Sequence, residues 1–408
     1  MRKLLCITVG LAVLCTGCAG HETYWEQDPP QLSSMLRENA AGETDPDDAS
    51  VRAVWIPVMH YADWMTGKSE EAFRRKIRDV FAQCRDLGLN TVFLHVRAYA
   101  DAYYHSELFP KGAYLTGDYD PLAIMTEEAH NAGLSVHAWI NPLRCQTPES
   151  LAALDKTYPL RQWYEDDAMN GTRLVDVDGH YWLNPAYQEV RQLVCDGVSE
   201  ILKHYPVDGI HIDDYFYPTQ DPSFDAAAFA ESGYEDLGTF RRDSSNALVQ
   251  ALYDTVKKND PDCIFSISPQ GNLAADYEQL YADAALWYGE EGYCDWMIPQ
   301  IYYGFENDTC PFTETLAEWN ALPDAAELIV GLAPYKIGRE DVWAGSGSLE
   351  WVDDPEVLSK ETAAVLDEEL GIAYYSFDSL FSPDESVADM VSAEFDRIRT
   401  LLADSDPF

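Results

Sequence analysis

Gly209-Ile210-His211-Ile212-Asp213-Asp214-Tyr215 alternates apolar and polar side chains with a period of two. That period is a strand's, because successive side chains point to opposite faces. Ile210 and Ile212 suit a face covered by helices, which turns His211, Asp213 and Tyr215 to the other face. Seven further runs rich in Val, Ile, Phe and Tyr flank this one, at 51–57, 91–97, 135–141, 264–269, 296–302, 328–335 and 372–378. Helical patterns lie between most of them. Ser69 caps an expected helix with Phe73, Ile77, Val80, Phe81, Cys84 and Leu87 on one face, ended by Gly88. Asp120-Pro121 is a cap followed by a first-turn proline, and Gly133 closes that helix. Segments 187–202 and 247–256 are amphipathic, and weaker helices fit 313–321, 355–369 and 385–402. Eight strands alternating with helices predict an α/β protein, a (β/α)8 TIM barrel over 51–403. The rival is an open doubly wound sheet. It calls for a Gly-rich loop after the first strand, and Trp55-Ile56-Pro57-Val58 is not one.

The surplus length is uneven. It lies at 142–185, after the third strand, and at 216–240, after the fourth. Both insertions follow strand C-termini, the face where barrel enzymes keep their active sites. Alternation sends Trp55, His95, Arg97, His137, Trp139, Asn141, His211, Asp213, Ser268, Gln300, Tyr302 and Asp378 inward. Inward polar groups cost several kcal/mol when unsatisfied. A hydrogen-bonded core network would account for one of them. So many near strand C-termini point to a site.

The run 208–218 resembles the glycosyl-hydrolase-like 10 family, together with Leu94-His95-Val96-Arg97, Trp139-Ile140-Asn141-Pro142, Trp182-Leu183-Asn184-Pro185, Arg241-Arg242-Asp243, Ser266-Ile267-Ser268-Pro269 and Pro299-Gln300-Ile301-Tyr302. These motifs recur in order over roughly residues 50 to 400. The family includes bacterial lipoproteins and a divisome-localised hydrolase of denuded peptidoglycan strands. The resemblance implies a barrel, extracytoplasmic placement and glycoside hydrolysis; no cofactor and no metal is expected. It does not supply a complete acid/base pair.

Glycoside hydrolysis needs two carboxyl groups flanking the scissile bond. Asp213 is the first choice; its structural alternative is a buried partner of Arg97. The second carboxylate is sought among Asp214, which alternation turns away from the axis, then Asp378, Glu306 and Asp101. His95, Arg97, Asn141, His211 and Gln300 are expected to bond sugar hydroxyls or acetamido groups. Trp55, Tyr99, Tyr104, Trp139, Trp182, Tyr215, Tyr217 and Tyr302 are expected to present rings to sugar faces, with some of the aromatics at strand ends serving only as packing. Two rival readings stand beside hydrolysis. One is a non-catalytic wall-glycan binder. The other is a metal-dependent deacetylase in which His95, His137, His211 and Asp213 converge on zinc, though no HExxH spacing accompanies them.

Asp plus Glu number 71 against 27 Lys plus Arg, a net charge of −44. Such a chain is repelled by phosphate backbones, which argues against nucleic acid as a partner. An acidic groove also favours neutral glycan over anionic wall polymers. At the N-terminus, Arg2 and Lys3 precede an apolar run over 4–14. It is shorter than the ~20 residues of a membrane-spanning helix and fits a signal-peptide core. Leu14-Cys15-Thr16-Gly17-Cys18 resembles a lipobox, with Cys15 where the motif usually has Leu. The expectation is a signal peptide at 1–18, lipid on Cys18, and an extracytoplasmic membrane-anchored protein. Residues 19–50 hold eight acidic residues and one Arg and read as a flexible tether. No residue pattern specifies a division-machinery partner. Cys294 and Cys310 bracket a strand, and the sequence leaves their pairing open.

Overall fold

A computed structural model describes residues 50–405. The expected signal peptide, Cys18 and the tether up to residue 49 lie outside the described residues. Eight parallel strands close into a barrel: β1 (Arg52–Ile56), β2 (Thr91–Arg97), β3 (Ser135–Ile140), β6 (Gly209–Ile212), β7 (Ile264–Ile267), β8 (Trp296–Met297), β9 (Glu327–Leu332) and β10 (Gly371–Tyr374). The ring runs β1-β10-β9-β8-β7-β6-β3-β2. The expected TIM barrel is therefore the observed fold. The remaining strands, β4 (Leu174–Val177) and β5 (His180–Leu183), form an antiparallel hairpin inside the long connection after β3. No helix among the described residues is long and apolar enough to cross a membrane.

The helices form where their end signals stand. Ser69 accepts from the Ala72 N–H to start Glu70–Leu87, and Gly88 ends it at φ +93°, a conformation costly to any residue with a Cβ. Asp120 caps Pro121–Asn131 in the same way. Phe73, Ile77, Val80, Phe81, Cys84 and Leu87 are all buried on the barrel-facing side; burying each large apolar side chain contributes roughly 1.5–3 kcal/mol. The expected helix at 247–256 is longer, Leu237–Asn259, because Asp236 caps it further upstream. A short helix, Ala284–Gly289, follows β7, where no helix was expected. All six described cysteines are free thiols, including Cys294 and Cys310.

The barrel axis is filled by Val51, Ala53, Trp55, Phe93, Trp139, Ile298, Ile329 and Ala373. A larger apolar layer lies between strands and helices. Gly197 marks a close approach in it. A Cβ there would meet the Arg97 guanidinium and the Phe109 ring. Gly197→Ala gains up to ~1 kcal/mol in helix propensity, yet overpacking of ~1–3 kcal/mol and displacement of a buried guanidinium outweigh it. We expect a lower denaturant midpoint with an unchanged slope; an unaltered midpoint would mean that Arg97 moves aside freely.

Candidate active site

Asp213 is the first residue past β6, and its carboxyl is almost fully buried. Its Oδ1 accepts from Asn141 Nδ2, and Asn141 is the first residue past β3. Asn141 Oδ1 in turn accepts from His95 Nε2–H at 2.9 Å. That bond fixes the tautomer: the proton is on Nε2, and buried Nδ1 is left as an acceptor with no partner. Burial drives the His95 pKa down to about 3, so the ring is neutral at pH 7. His95 stacks on Trp139 with centroids 3.7 Å apart. The Trp139 indole N–H is also near Asp213 and has no other partner.

Asp214 was expected to turn away from the axis, and here the structure corrects the reading. Regular pairing of β6 ends at Ile212, so strand alternation no longer governs Asp214. The Gln300 and Gln270 side chains, past the ends of β8 and β7, stand beside its carboxyl and favour its ionised form. The two carboxyls thus reach opposite ways round one rim, Asp213 toward β3 and Asp214 toward β7 and β8. Both pKa values are raised. Burial is the largest cause for each, and the Asp214 charge adds to the rise at Asp213.

Three rings, Tyr302, Tyr335 and Tyr375, meet at centroid distances of 5.9–6.1 Å on the β8–β10 side. The charges of Asp213 and Asp214 both help hold the Tyr302 and Tyr375 hydroxyls protonated, after burial itself. Across the mouth, Arg144 lies over Tyr99 at 4.5 Å and Tyr215 at 4.1 Å, with Trp182 beyond Tyr215. The expected residues that gather here are Asp213, Asp214, His95, Asn141, Trp139, Gln300, Tyr302, Tyr99, Tyr215 and Trp182.

Others do not. Arg97 faces the helix layer because a bulge shifts the β2–β3 register from His95↔Trp139 to Arg97↔Ile140. It stacks on Phe109 beside Gly197 and is no partner of Asp213. Asp101 orders its own loop, accepting from the Ala98 and Tyr99 N–H groups. Tyr104 packs on Tyr205, and Tyr217 on Phe224 and Tyr281. Trp55 donates to His211 Nε2 at 3.0 Å, and His211 Nδ1–H donates to Ser266 at 2.9 Å, so neither ring has a polar atom left for substrate. Asp378 is not at a strand end: β10 stops at Tyr374, and Asp378 sits in the helix Phe377–Phe381, paired with His60. Glu306 is exposed on the loop after β8. His137 stacks on Trp296 deeper in the barrel, and among the described residues no group of three His, Cys, Asp or Glu converges as a metal site.

Sequence reading missed Arg144, Gln270, Tyr375 and Asp276. Asp276 opens a π-helical turn after β7, fully buried. Its Oδ1 accepts from the Gln270 N–H at 3.3 Å, and Oδ2 has no partner. Burial, and more weakly the Asp214 charge, raise its pKa well above the usual carboxylate range. Arg144 and Tyr375 stand just past strand ends, the one signal that could have found them.

A closed parallel barrel carrying a carboxyl pair, amide donors and aromatic rings at its C-terminal mouth is the architecture of barrel hydrolases acting on sugars. The chain belongs to the glycosyl hydrolase-like 10 family, whose pattern matches residues 50–345. It is 33% identical over 325 residues to the glycosyl hydrolase YngK of Bacillus subtilis, a match covering 72% of this chain and 62% of that protein. It is 29% identical over 386 residues to the glycosyl hydrolase DigH of Escherichia coli K12, covering 82% and 83%. The PgaB (BpsB) glycoside hydrolase domain of Bordetella bronchiseptica shares the fold with a TM-score of 0.55 at 14% identity, over 84% of this chain and 98% of that one. So does a GH20 exo-β-N-acetylglucosaminidase of Vibrio harveyi, with a TM-score of 0.51 at 13% identity, over 87% and 54%.

Proposed function

We propose that this protein is a lipid-anchored, extracytoplasmic glycoside hydrolase cleaving cell-wall glycan strands, with peptidoglycan stripped of stem peptides as its substrate. In this reading residues 1–18 are a signal peptide ending at a lipidated Cys18, 19–50 a tether and 51–403 the catalytic barrel. The observation that carries the chemistry is the Asp213–Asp214 pair at one rim, Asp213 buried against Asn141 and Asp214 partly buried beside Gln270 and Gln300, with both carboxyls pushed toward their protonated forms. Asp213 keeps its proton and gives it to the leaving glycosidic oxygen. Asp214, whose ionised form two amide donors stabilise, carries the negative charge on the other side of the bond. Asn141 and the His95 it bonds hold the acid in place, and the rings of Trp139, Tyr302 and Tyr375 offer faces to sugar C–H groups.

The test is to incubate the purified protein with amidase-stripped glycan strands and identify released sugars by mass spectrometry. Short fragments are expected; their absence under all conditions, with retained binding, would leave a glycan-binding protein. The rate should be bell-shaped in pH. Its acid limb should lie above the ordinary carboxylate range, because burial raises Asp214. Its alkaline limb reports loss of the Asp213 proton. A profile flat from pH 4 to 9 would remove the pair from the mechanism.

A further inference from the structure

We propose that Arg144 is the receptor for a carboxylate carried by the sugar substrate, and so sets the specificity of this site; the inference rests on the glycan-hydrolase reading above. Arg144 follows β3 by four residues, and its backbone bridges to Trp182 in β5. Tyr99 and Tyr215 cover its guanidinium at 4.5 and 4.1 Å, and one Nη2–H donates to the Tyr99 hydroxyl at 3.3 Å. The long side chain is therefore ordered before any ligand arrives, which lowers the entropic cost of binding.

Its remaining donors have no partner among the described residues, and it makes no ion pair there. That is notable in a chain with 71 acidic against 27 basic residues. Arg74, Arg75, Arg161 and Arg241 each meet a carboxylate. Arg144 does not, although its charge is felt by Asp213, Asp214 and His95. A planar guanidinium with open N–H donors at a sugar site matches a carboxylate's two oxygens. A single cation beside two aspartates suits a singly charged anion better than a phosphate dianion. The overall acidity of the chain favours neutral glycan; a fixed guanidinium with open donors offers one local point at which a single carboxylate can be held.

On N-acetylmuramic units the lactyl carboxyl is tied up as an amide while a stem peptide is attached. It becomes an anion only when that amide is cleaved. The reaction that must supply this substrate is therefore an amide hydrolysis releasing the peptide.

The test uses the purified full chain in detergent, carrying Asp213→Asn to prevent turnover. Binding is measured by calorimetry to glycan strands freed of peptide and to the same strands with lactyl carboxyls reduced to alcohols. We expect at least ~10-fold tighter binding of the carboxylated strands, about 1.4 kcal/mol. Arg144→Gln should erase that preference, weakening binding of the carboxylated strands far more than that of the reduced strands, and Arg144→Lys should keep part of it. Equal binding of both strands by the Arg144 protein, no binding of either, or an equal loss for both in Arg144→Gln would overturn the proposal. The last outcome would make Arg144 only a support for Tyr99 and Tyr215. A carboxylate preference without sugar release by the Asp213 protein would instead sink the hydrolase reading and leave the receptor standing.

Discussion

Asp213→Asn is expected to cut glycan hydrolysis by ~10²–10⁴-fold, the contribution of a positioned general acid, while leaving the melting temperature unchanged or slightly raised. The two halves of this expectation share one cause. The Asp213 carboxyl is buried beside a second carboxyl, and the fold favours its neutral form. An amide has nearly the shape of that neutral acid and can still accept from Asn141 Nδ2. It has no proton to give to a departing oxygen. Asp214→Asn should cost a comparable factor, and the double substitution little more than either alone, since the pair acts as a unit. Asp378→Asn and Glu306→Gln provide the contrast. One is bonded to His60 and the other is exposed on a loop, so each should stay within about threefold of the unsubstituted rate. Loss of hydrolysis in Asp378→Asn equal to that in Asp213→Asn, at unchanged stability, would place the chemistry elsewhere.

Why some of this site could be read from sequence, and some not, follows from where periodicity holds. Within regular strands the period of two is imposed by the backbone, so His95, Trp139, His211 and the position of Asp213 could be read residue by residue. The barrel was legible for the same reason, reinforced by the caps at Ser69 and Asp120. One inserted residue defeats the method. The bulge in β2 sends Arg97 to the helix layer, and no sequence period announces it. From the second residue past the last pair onward the method is silent. That is why Asp214 was turned the wrong way and why Asp378 was placed in a strand that ends four residues earlier, at Tyr374. Trp55 and His211 show a different limit. Direction was right, but a polar atom pointing inward serves substrate only if no neighbour has claimed it, and each has claimed the other. Asp276 lies in an irregular turn and gave no signal at all.

Glu361 carries the second large expectation, on stability. It sits in the helix Val357–Asp367, fully buried, with both carboxyl oxygens lacking a hydrogen-bond partner. Burial, with Glu350 and Glu394 adding to it against a partial offset from Lys336, raises its pKa well above the ordinary value. The folded state therefore holds a proton that the unfolded chain has released at the same pH. More protons bound in the folded state means that stability falls as pH rises, from the ordinary carboxylate range through the raised folded-state value. Asp213, Asp214 and Asp276 shift in the same direction and add to the trend. Glu361→Gln keeps the shape of the protonated side chain and removes the ionisation. At pH 8 it should stabilise the protein by about 1–3 kcal/mol, the scale of an unsatisfied buried group, or a melting-temperature rise of roughly 2–6 °C for a domain of this size. At pH 5, close to the ordinary carboxylate range, the unfolded chain keeps more of that proton, so the gap between the two melting points should be clearly smaller than at pH 8. Scanning calorimetry at the two pH values separates this from simple repacking, which would move both melting points alike; a substitution that destabilises at pH 8 would show that the ionised carboxylate has partners that stabilise it.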